Sequence, residues 1–151
     1  MTILGVDYGR KYLGLALATS RDGSGQPLVV PLPALKFEGS SQALDGLIKT
    51  CEQYGVGEVV FGLPVLGSGK EGGLSKEIRR FSLVLSRKAK KERGLNLAVH
   101  FTNENLTSFE AGTMTWDIKK TREGKRKLEN SLAACLILKN FLEFNPKFTK
   151  A

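Results

Sequence analysis

The sequence has few of the residues that build disulfide frameworks, zinc centres or membrane spans. Its 151 residues include two cysteines and one histidine. Cys51 and Cys135 lack CxxC spacing and a nearby histidine, so we expect reduced core residues. The single histidine, His100, alternates with apolar residues, which favours an edge or core position over catalysis. No run approaches the roughly 18 apolar residues of a membrane helix, and Met1 leads directly into a strand pattern, which indicates a cytoplasmic protein.

Low-complexity tracts and repeats of useful period are also absent. The length fits one domain, residues 1–151, which is large enough to bury a continuous core without disulfides or a structural metal. The composition is that of an ordinary globular protein.

Acidic residues are outnumbered. The chain holds 23 Lys and Arg against 15 Asp and Glu, for a net charge of +8. The excess is concentrated in Lys76–Arg93 and in Lys119–Lys127. Such runs are often solvated helix faces, but two of them in so short a chain favour a polyanionic partner, nucleic acid above all.

Apolar periodicity predicts strands that alternate with helices. Two glycine-joined strands open the chain, and Pro31 and Pro33 mark the next stretch, Leu28–Leu35, as an edge strand. The remaining predicted elements are a helix capped by Ser40 or Ser41 and ending near Gly55, a strand Glu58–Gly62, a helix with Leu74, Ile78, Phe81, Val84 and Leu85 inward and ending by Gly94, a strand Leu97–Thr102, a helix from near Thr107 and a helix Ser131–Phe144. This order predicts an α/β fold with a mixed five-stranded sheet flanked by helices.

Two carboxylates stand at predicted strand ends. Asp7 is set into the first strand, and Glu104 follows the strand that ends at Thr102. Functional groups of α/β sheets gather where neighbouring strands end, so these two acids could form an oxygen-ligand site for Mg²⁺ or Mn²⁺. Alternatively, Asp7 initiates a turn and Glu104 is a first-turn helix acid.

Other polar residues near these acids are candidate phosphate ligands. Arg10 and Lys11 follow Asp7, while Thr107 and Ser108 follow Glu104. Thr107 is equally suited to cap the next helix, and Arg10 and Lys11 to be solvated turn cations. The glycine-rich loop 62–73 lacks the Ser or Thr of a P-loop after Lys70, so it predicts a turn or a close approach of substrate.

Four segments together resemble the YqgF/RuvX family of ribonuclease H-like proteins, known as Holliday junction resolvases or pre-16S rRNA nucleases. The resemblance spans nearly the whole chain. The segments are Gly5–Ala16 (GVDYGRKYLGLA), Val59–Pro64 (VVFGLP) with Gly69, Glu71 and Gly72, Glu104–Ser108 (ENLTS) and Asn130–Leu138 (NSLAACLIL).

The resemblance implies a ribonuclease H-like fold and a metal site built from three positions. Asp7 and Glu104 match two of the family's acids, and the third falls on Asn130, where an aspartate is usual. Asn130 offers a carbonyl oxygen but removes one negative charge, and as an alternative it could cap a helix. Glu129 is a poor substitute, because one residue along a helix rotates a side chain by about 100°.

The functions implied are metal-dependent cleavage, or binding without cleavage. In the first, a nuclease with Mg²⁺ or Mn²⁺ processes the 5′ end of pre-16S rRNA in ribosome biogenesis, weakened by Asn130. In the second, a silent member holds structured RNA, branched DNA or a ribosome assembly intermediate, as a monomer or weak homodimer. A third class, the actin-like ATPases, would need a second phosphate-binding half, for which the chain is too short. The candidate substrate-binding residues are Arg10, Lys11, Thr107, Ser108, Lys119, Lys120, Arg122, Lys125 and Arg126.

Overall fold

The computed structural model describes residues 2–20, 27–64, 72–103 and 122–145. Five strands form one sheet in the order β3-β2-β1-β4-β5. The strands are β1 (Thr2–Tyr8), β2 (Tyr12–Ser20), β3 (Pro27–Lys36), β4 (Glu58–Leu63) and β5 (Ala98–Asn103). The helices in the described ranges are α1 (Ser40–Tyr54), α2 (Gly73–Arg93) and α3 (Arg122–Phe144).

The sheet is mixed, as the element order predicts. β1 pairs antiparallel with β2, and β2 antiparallel with β3. β1, β4 and β5 run parallel, so their carboxyl ends lie at one edge of the sheet. β3 is an edge strand, as its prolines predicted, because proline cannot donate a backbone hydrogen bond to a further strand.

Both faces of the sheet are covered by helices. Leu4, Val6 and Phe61 pack on the side of α1 and α2, where the larger core cluster lies. Ile3 and Val60 pack on the opposite side, against apolar residues of α3. Because side chains alternate along a strand, β1, β2, β3 and β4 each contribute to both cores.

Helix α1 ends as predicted but begins differently. Gly55 terminates it in the left-handed conformation, with φ of 64°. The N-cap is Gly39, with φ of 82° and no side-chain hydrogen bond, so the prediction of a serine cap is wrong. The side chain of Gln42 instead accepts a hydrogen bond from the backbone N–H of Glu38, at 2.7 Å.

Helix α2 ends before Gly94, as predicted, but its buried stripe differs from the predicted one. Ile78, Phe81 and Leu85 are buried, whereas Leu74 and Val84 are exposed. Ser75 and Ser82 are buried instead, and each hydroxyl donates to a carbonyl: Ser75 to Pro64 at 2.6 Å and Ser82 to Arg79 at 2.8 Å. A satisfied hydroxyl can occupy a core position that an apolar pattern does not mark.

Helix α3 begins at Arg122, nine residues before the predicted start at Ser131. Its polar first turns hid this start, because they lack the apolar period of the turns that pack on the sheet. The predicted helix from near Thr107 lies outside the described residues.

The structure tests the predictions made from the two cysteines and from the lack of long apolar runs. Cys51 and Cys135 are free thiols, and both are buried, as predicted. Burial raises the pKa of Cys51 to about 12 and that of Cys135 to about 11. Within the described part of the chain, no helix is long and apolar enough to cross a membrane.

Candidate metal and nucleic-acid site

Asp7 lies near the carboxyl end of β1, half-buried, on the face of the sheet covered by α3. Its face follows from strand alternation: Ile3, at the same parity, packs against α3, while Leu4 and Val6 pack on the other side. Asp7 is therefore part of the regular strand pairing, opposite Gly14 of β2. β1 continues to Tyr8, so the part of the alternative in which Asp7 ends the strand is wrong.

Gly14 places Asn130 beside Asp7. A Cβ atom built on Gly14 would overlap the carbonyl group of Asn130 and lie 3.0 Å from its Cβ. The backbone of α3 thus rests directly on Gly14. Residues opposite each other in an antiparallel pair project from the same face, with Cβ atoms about 5 Å apart. Asp7 and Asn130 are consequently neighbours, although they are far apart in the sequence.

Asn130 lies within α3, more than two turns after its start, so the interpretation as a helix cap is wrong. Its half-buried side chain belongs to the turn that contacts the sheet. The next residue fixes the rotation of the helix, because the buried Ser131 hydroxyl donates to the Leu32 carbonyl of β3 at 2.6 Å.

A second glycine lets the same helix approach β1. A Cβ on Gly5 would lie 2.9 Å from the carbonyl oxygen of Ala134 and 2.5 Å from the Leu138 side chain. Glycine within a strand is typical of such close backbone approach. The two glycines, one on each strand of the pair, therefore allow the backbone of α3 to pack closely against β1 and β2 beside Asp7.

The row of side chains that includes Asp7 continues across the parallel strands. Val6 is in register with Phe61, so Asp7 aligns with Gly62, and Gly62 aligns with Thr102 of β5. Asn140 of α3 donates to the Thr102 hydroxyl at 3.1 Å and to the Asn103 carbonyl at 3.2 Å. Asn140 therefore attaches α3 to the end of the strand that leads to Glu104.

Asn140 and Gly14 lie where α3 contacts the sheet, and neither was predicted as a site residue. An asparagine near the end of an apolar helix was the available signal for Asn140. For Gly14, it was a glycine inside a predicted strand.

Several predicted site residues lie outside the described ranges: Glu104, Thr107, Ser108, Lys119 and Lys120. Arg122, Lys125 and Arg126 fall in the first turns of α3, and only their helical backbone is described. Among residues 2–20, 27–64, 72–103 and 122–145, no group of three or more His, Cys, Asp or Glu converges. Of the three predicted metal-site positions, the described ranges contain Asp7 and Asn130.

Arg10 and Lys11 are exposed in the connection between β1 and β2, directly after Asp7 and Tyr8. The carbonyl of Lys11 accepts a hydrogen bond from the Phe37 N–H at 3.0 Å, which holds the backbone of this turn. The two cations therefore lie at the same sheet edge as Asp7.

The basic run on α2 is only partly occupied by structural contacts. Lys88 pairs with Asp45 of α1 at 3.1 Å, and this contact raises its pKa. The guanidinium of Arg79 lies 4.7 Å from the centre of the Phe101 ring. Arg80, Arg87, Lys90 and Lys91 are exposed and add positive potential to this side of the molecule.

Tyr8 faces the opposite side of the sheet from Asp7 and lines a cavity of about 360 Å³. Burial and a hydrogen bond to the Glu77 carboxylate raise the pKa of Tyr8 to about 12. Its ring packs edge-on against Phe81, with centroids 5.1 Å apart. This cavity was not anticipated from the sequence.

His100 lies on the edge strand β5, as predicted. Its Nε2 atom is 3.6 Å from the Glu58 carboxylate, and its ring packs against Phe141 of α3. It is situated on β5 among packing residues, two residues before Thr102.

Comparison with known proteins places this arrangement in a family. The family model described as RuvX, Holliday junction resolvase, matches residues 1–144. A relative from Pelotomaculum thermopropionicum, with the provisional name pre-16S rRNA nuclease, is 32% identical over 143 residues, covering 95% of this chain and 87% of its own. A relative of the same name from Moorella thermoacetica is 31% identical, covering 95% of each chain.

Solved structures agree on the fold. Fowlpox virus resolvase with Holliday junction DNA superposes with a TM-score of 0.56 at 15% identity, covering 95% of this chain and 98% of that one. T. thermophilus RuvC with a Holliday junction substrate gives a TM-score of 0.53 at 11% identity, covering 95% and 96%. The predicted ribonuclease H-like fold is confirmed.

Proposed function

We propose that this chain, which belongs to the RuvX family of Holliday junction resolvases, is a metal-dependent nuclease that acts on structured nucleic acid. The observation that carries the proposal is the contact between Asn130 and Gly14, the strand partner of Asp7. It brings together two side chains with oxygen donors at the edge where the parallel strands end. Active sites of open α/β sheets lie at such edges.

The described donors fit a hard divalent cation. Asp7 offers a carboxylate and Asn130 an amide oxygen, the ligand types that Mg²⁺ and Mn²⁺ prefer. Gly14 and Gly62 flank Asp7 in its row, so no side chain from either neighbouring position fills the space beside the carboxylate. Glu104, just beyond the end of β5, is the third ligand in this proposal. When bound, the ion supplies Lewis-acid activation of the scissile phosphodiester.

Residues of this chain provide substrate positioning. Arg10 and Lys11 are exposed at the Asp7 edge and would pair with phosphates, as would the basic segment Lys119–Lys127. Thr107 and Ser108 would donate hydroxyl contacts to the same backbone. These contacts set the register of the strand without reading its sequence.

Structured RNA is the favoured substrate, because relatives at about 30% identity carry the name pre-16S rRNA nuclease. We assign the chain to 5′-end processing of that precursor on ribosome assembly intermediates in the cytoplasm, as a monomer or weak homodimer. Branched DNA is the alternative substrate, since the family model and the solved neighbours are named for Holliday junctions.

Asn130 favours a second candidate function, binding without cleavage. It removes one negative charge from the ion site and cannot accept a proton as aspartate can. The basic surface and the fold would remain, so a silent member would still bind structured nucleic acid. Cleavage is the measurement that separates the two.

The test is Mg²⁺- or Mn²⁺-dependent cleavage of a pre-16S rRNA 5′ fragment and of a four-way DNA junction. Wild type, Asp7→Asn, Asn130→Asp and the control Asp45→Asn would be compared. Asp45 lies on α1 and pairs with Lys88, so its variant removes the same charge on the opposite face from α3.

We expect weak wild-type cleavage that Asp7→Asn abolishes and Asp45→Asn leaves intact. Asn130→Asp should raise Mn²⁺ affinity about tenfold or more, because a unit charge about 4 Å from a cation contributes more than 1.4 kcal/mol at a partly buried site. Wild-type cleavage that survives Asp7→Asn would contradict the proposed site. Binding of RNA with no cleavage by wild type, and cleavage gained in Asn130→Asp, would establish the silent candidate.

A further inference from the structure

The cavity beside Tyr8 lies at the same sheet edge as Asp7 but on the opposite face. It lies between the start of α1 and the first turns of α2. Tyr8 directly follows Asp7, and consecutive side chains of a strand point to opposite faces. Under the proposed function, a nucleic-acid strand with a phosphate near Asp7 lies at the same sheet edge as the mouth of this cavity.

The cavity combines an apolar floor with a polar rim. Leu44 and Phe81 are buried at its floor, and the rim carries Tyr8, Glu77 and Arg80. Its volume of about 360 Å³ is at the lower end for small-ligand pockets and suits one base-sized group. The half-buried ring of Tyr8 offers a surface on which a planar base can pack, and the buried Phe81 ring adds an apolar floor.

The rim groups select the chemistry of the ligand. Arg80 offers paired N–H donors, and Glu77 offers carboxylate oxygens, one of which accepts from Tyr8. The carboxylate disfavours a bare phosphate. Guanine presents the acceptors O6 and N7 beside N–H donors on its adjacent edge, which complements an arginine next to a carboxylate. Adenine offers a donor where guanine offers O6, so Arg80 would meet a like group.

We propose that this cavity binds an unpaired guanine base of the strand whose phosphates lie at the Asp7 edge. The proposal rests on the proposed function for the position of that strand. It assigns Glu77 and Arg80 as specificity-determining residues. The base is held by the rim contacts, and the packing against Tyr8 and Phe81 is common to all bases.

The test measures binding of labelled oligouridine strands with one central guanine, adenine or inosine, in EDTA and at fixed low salt. Four variants would be compared with wild type: Glu77→Gln and Arg80→Gln in the cavity, and Glu92→Gln and Arg87→Gln farther along α2. The second pair removes the same charges outside the cavity, so it corrects for the general attraction of a polyanion. Glutamine at position 77 can still accept from Tyr8, which protects the fold.

Wild type should bind the guanine strand about tenfold more tightly than the adenine strand, with inosine between them because it lacks the amino group. Glu77→Gln and Arg80→Gln should lose this preference, while both controls keep it. Equal affinity for guanine and adenine in wild type would overturn the proposal, as would an unchanged preference in Glu77→Gln.

Two further measurements distinguish a free nucleotide from a strand as the occupant, and failure of the cavity assignment from failure of the proposed nuclease. If guanosine monophosphate binds with Tyr8 signals shifted while strands show no preference, the occupant is a free nucleotide and the strand proposal is wrong. Guanine preference in a wild-type protein that never cleaves either substrate contradicts only the nuclease. Cleavage without guanine preference contradicts only the cavity assignment.

Discussion

Replacing Gly14 with alanine probes the contact that brings Asn130 to Asp7. The added Cβ would overlap the backbone carbonyl of Asn130, and a helix backbone cannot rotate away as a flexible side chain can. Ordinary contact needs about 3.5 Å between heavy atoms, so α3 must move by on the order of 1 Å. The Ser131 bond to β3 and the close contact at Gly5 both resist that movement.

The expected cost is about 1–3 kcal/mol, the usual range for overpacking a well-packed site. For a chain of 151 residues this lowers the melting temperature by roughly 2–12 °C. Affinity for Mn²⁺ should fall as well, because displacing Asn130 separates the two oxygen donors. Urea unfolding and calorimetric titration with Mn²⁺ measure the two effects.

Gly57→Ala is the matched control. A Cβ there meets nothing within 4 Å, and its backbone φ is not in the left-handed region. We expect its stability within about 0.5 kcal/mol of wild type and unchanged Mn²⁺ binding. A Gly14→Ala variant as stable as Gly57→Ala, with wild-type Mn²⁺ affinity, would refute the placement of α3 on Gly14.

Two further predictions concern the helices that surround the site. Ser131→Ala removes the hydroxyl that donates to the Leu32 carbonyl at 2.6 Å, so a buried acceptor loses its partner. The free energy of unfolding in urea should fall by about 1–3 kcal/mol. The control Ser40→Ala, at an exposed position without a capping bond, should change it little. Both cysteine thiols should resist alkylation at pH 8 in the folded protein and react on unfolding, because burial raises each thiol pKa to about 11 or 12. Mass spectrometry after iodoacetamide treatment measures the extent of alkylation. Rapid labelling of the native protein would contradict the burial of the thiols.

The strands were the most predictable part of the fold. Alternating and continuous apolar runs predicted all five, and Pro31 and Pro33 predicted that the third strand lies at an edge. These signals are local, since each depends on burial on one or two faces of a strand. The helix caps were less predictable, because Gly39 and Gln42 together replaced the expected serine cap.

Helix surfaces were predicted only where apolar residues are buried. Ser75 occupies a core position through its bond to Pro64, and Leu74 beside it is exposed. A pattern of apolar residues does not identify a buried serine whose hydroxyl is hydrogen-bonded. The start of α3 was missed for a related reason, since its first turns carry no apolar stripe.

The candidate site also combines a residue that its own segment predicts with one that its segment does not. Asp7 could be singled out from its strand, but its neighbour Asn130 could be assigned only through the family resemblance. No local pattern shows that Asn130, which lies 123 positions after Asp7, packs on Gly14. The cavity at Tyr8 also depends on three elements meeting, which no single segment of sequence reveals.

The central claim is that Asp7 and Asn130 share a divalent ion. Its most direct test is to add Mn²⁺ to protein labelled with ¹⁵N-asparagine and follow the NMR signals. We predict that substoichiometric Mn²⁺ broadens the side-chain amide signals of Asn130 and spares those of Asn145, about 22 Å farther along the chain at helical rise. Asp7→Asn should abolish the broadening at Asn130. Sharp Asn130 signals at saturating Mn²⁺, or the same broadening in Asp7→Asn, would contradict the claim that these two residues share an ion.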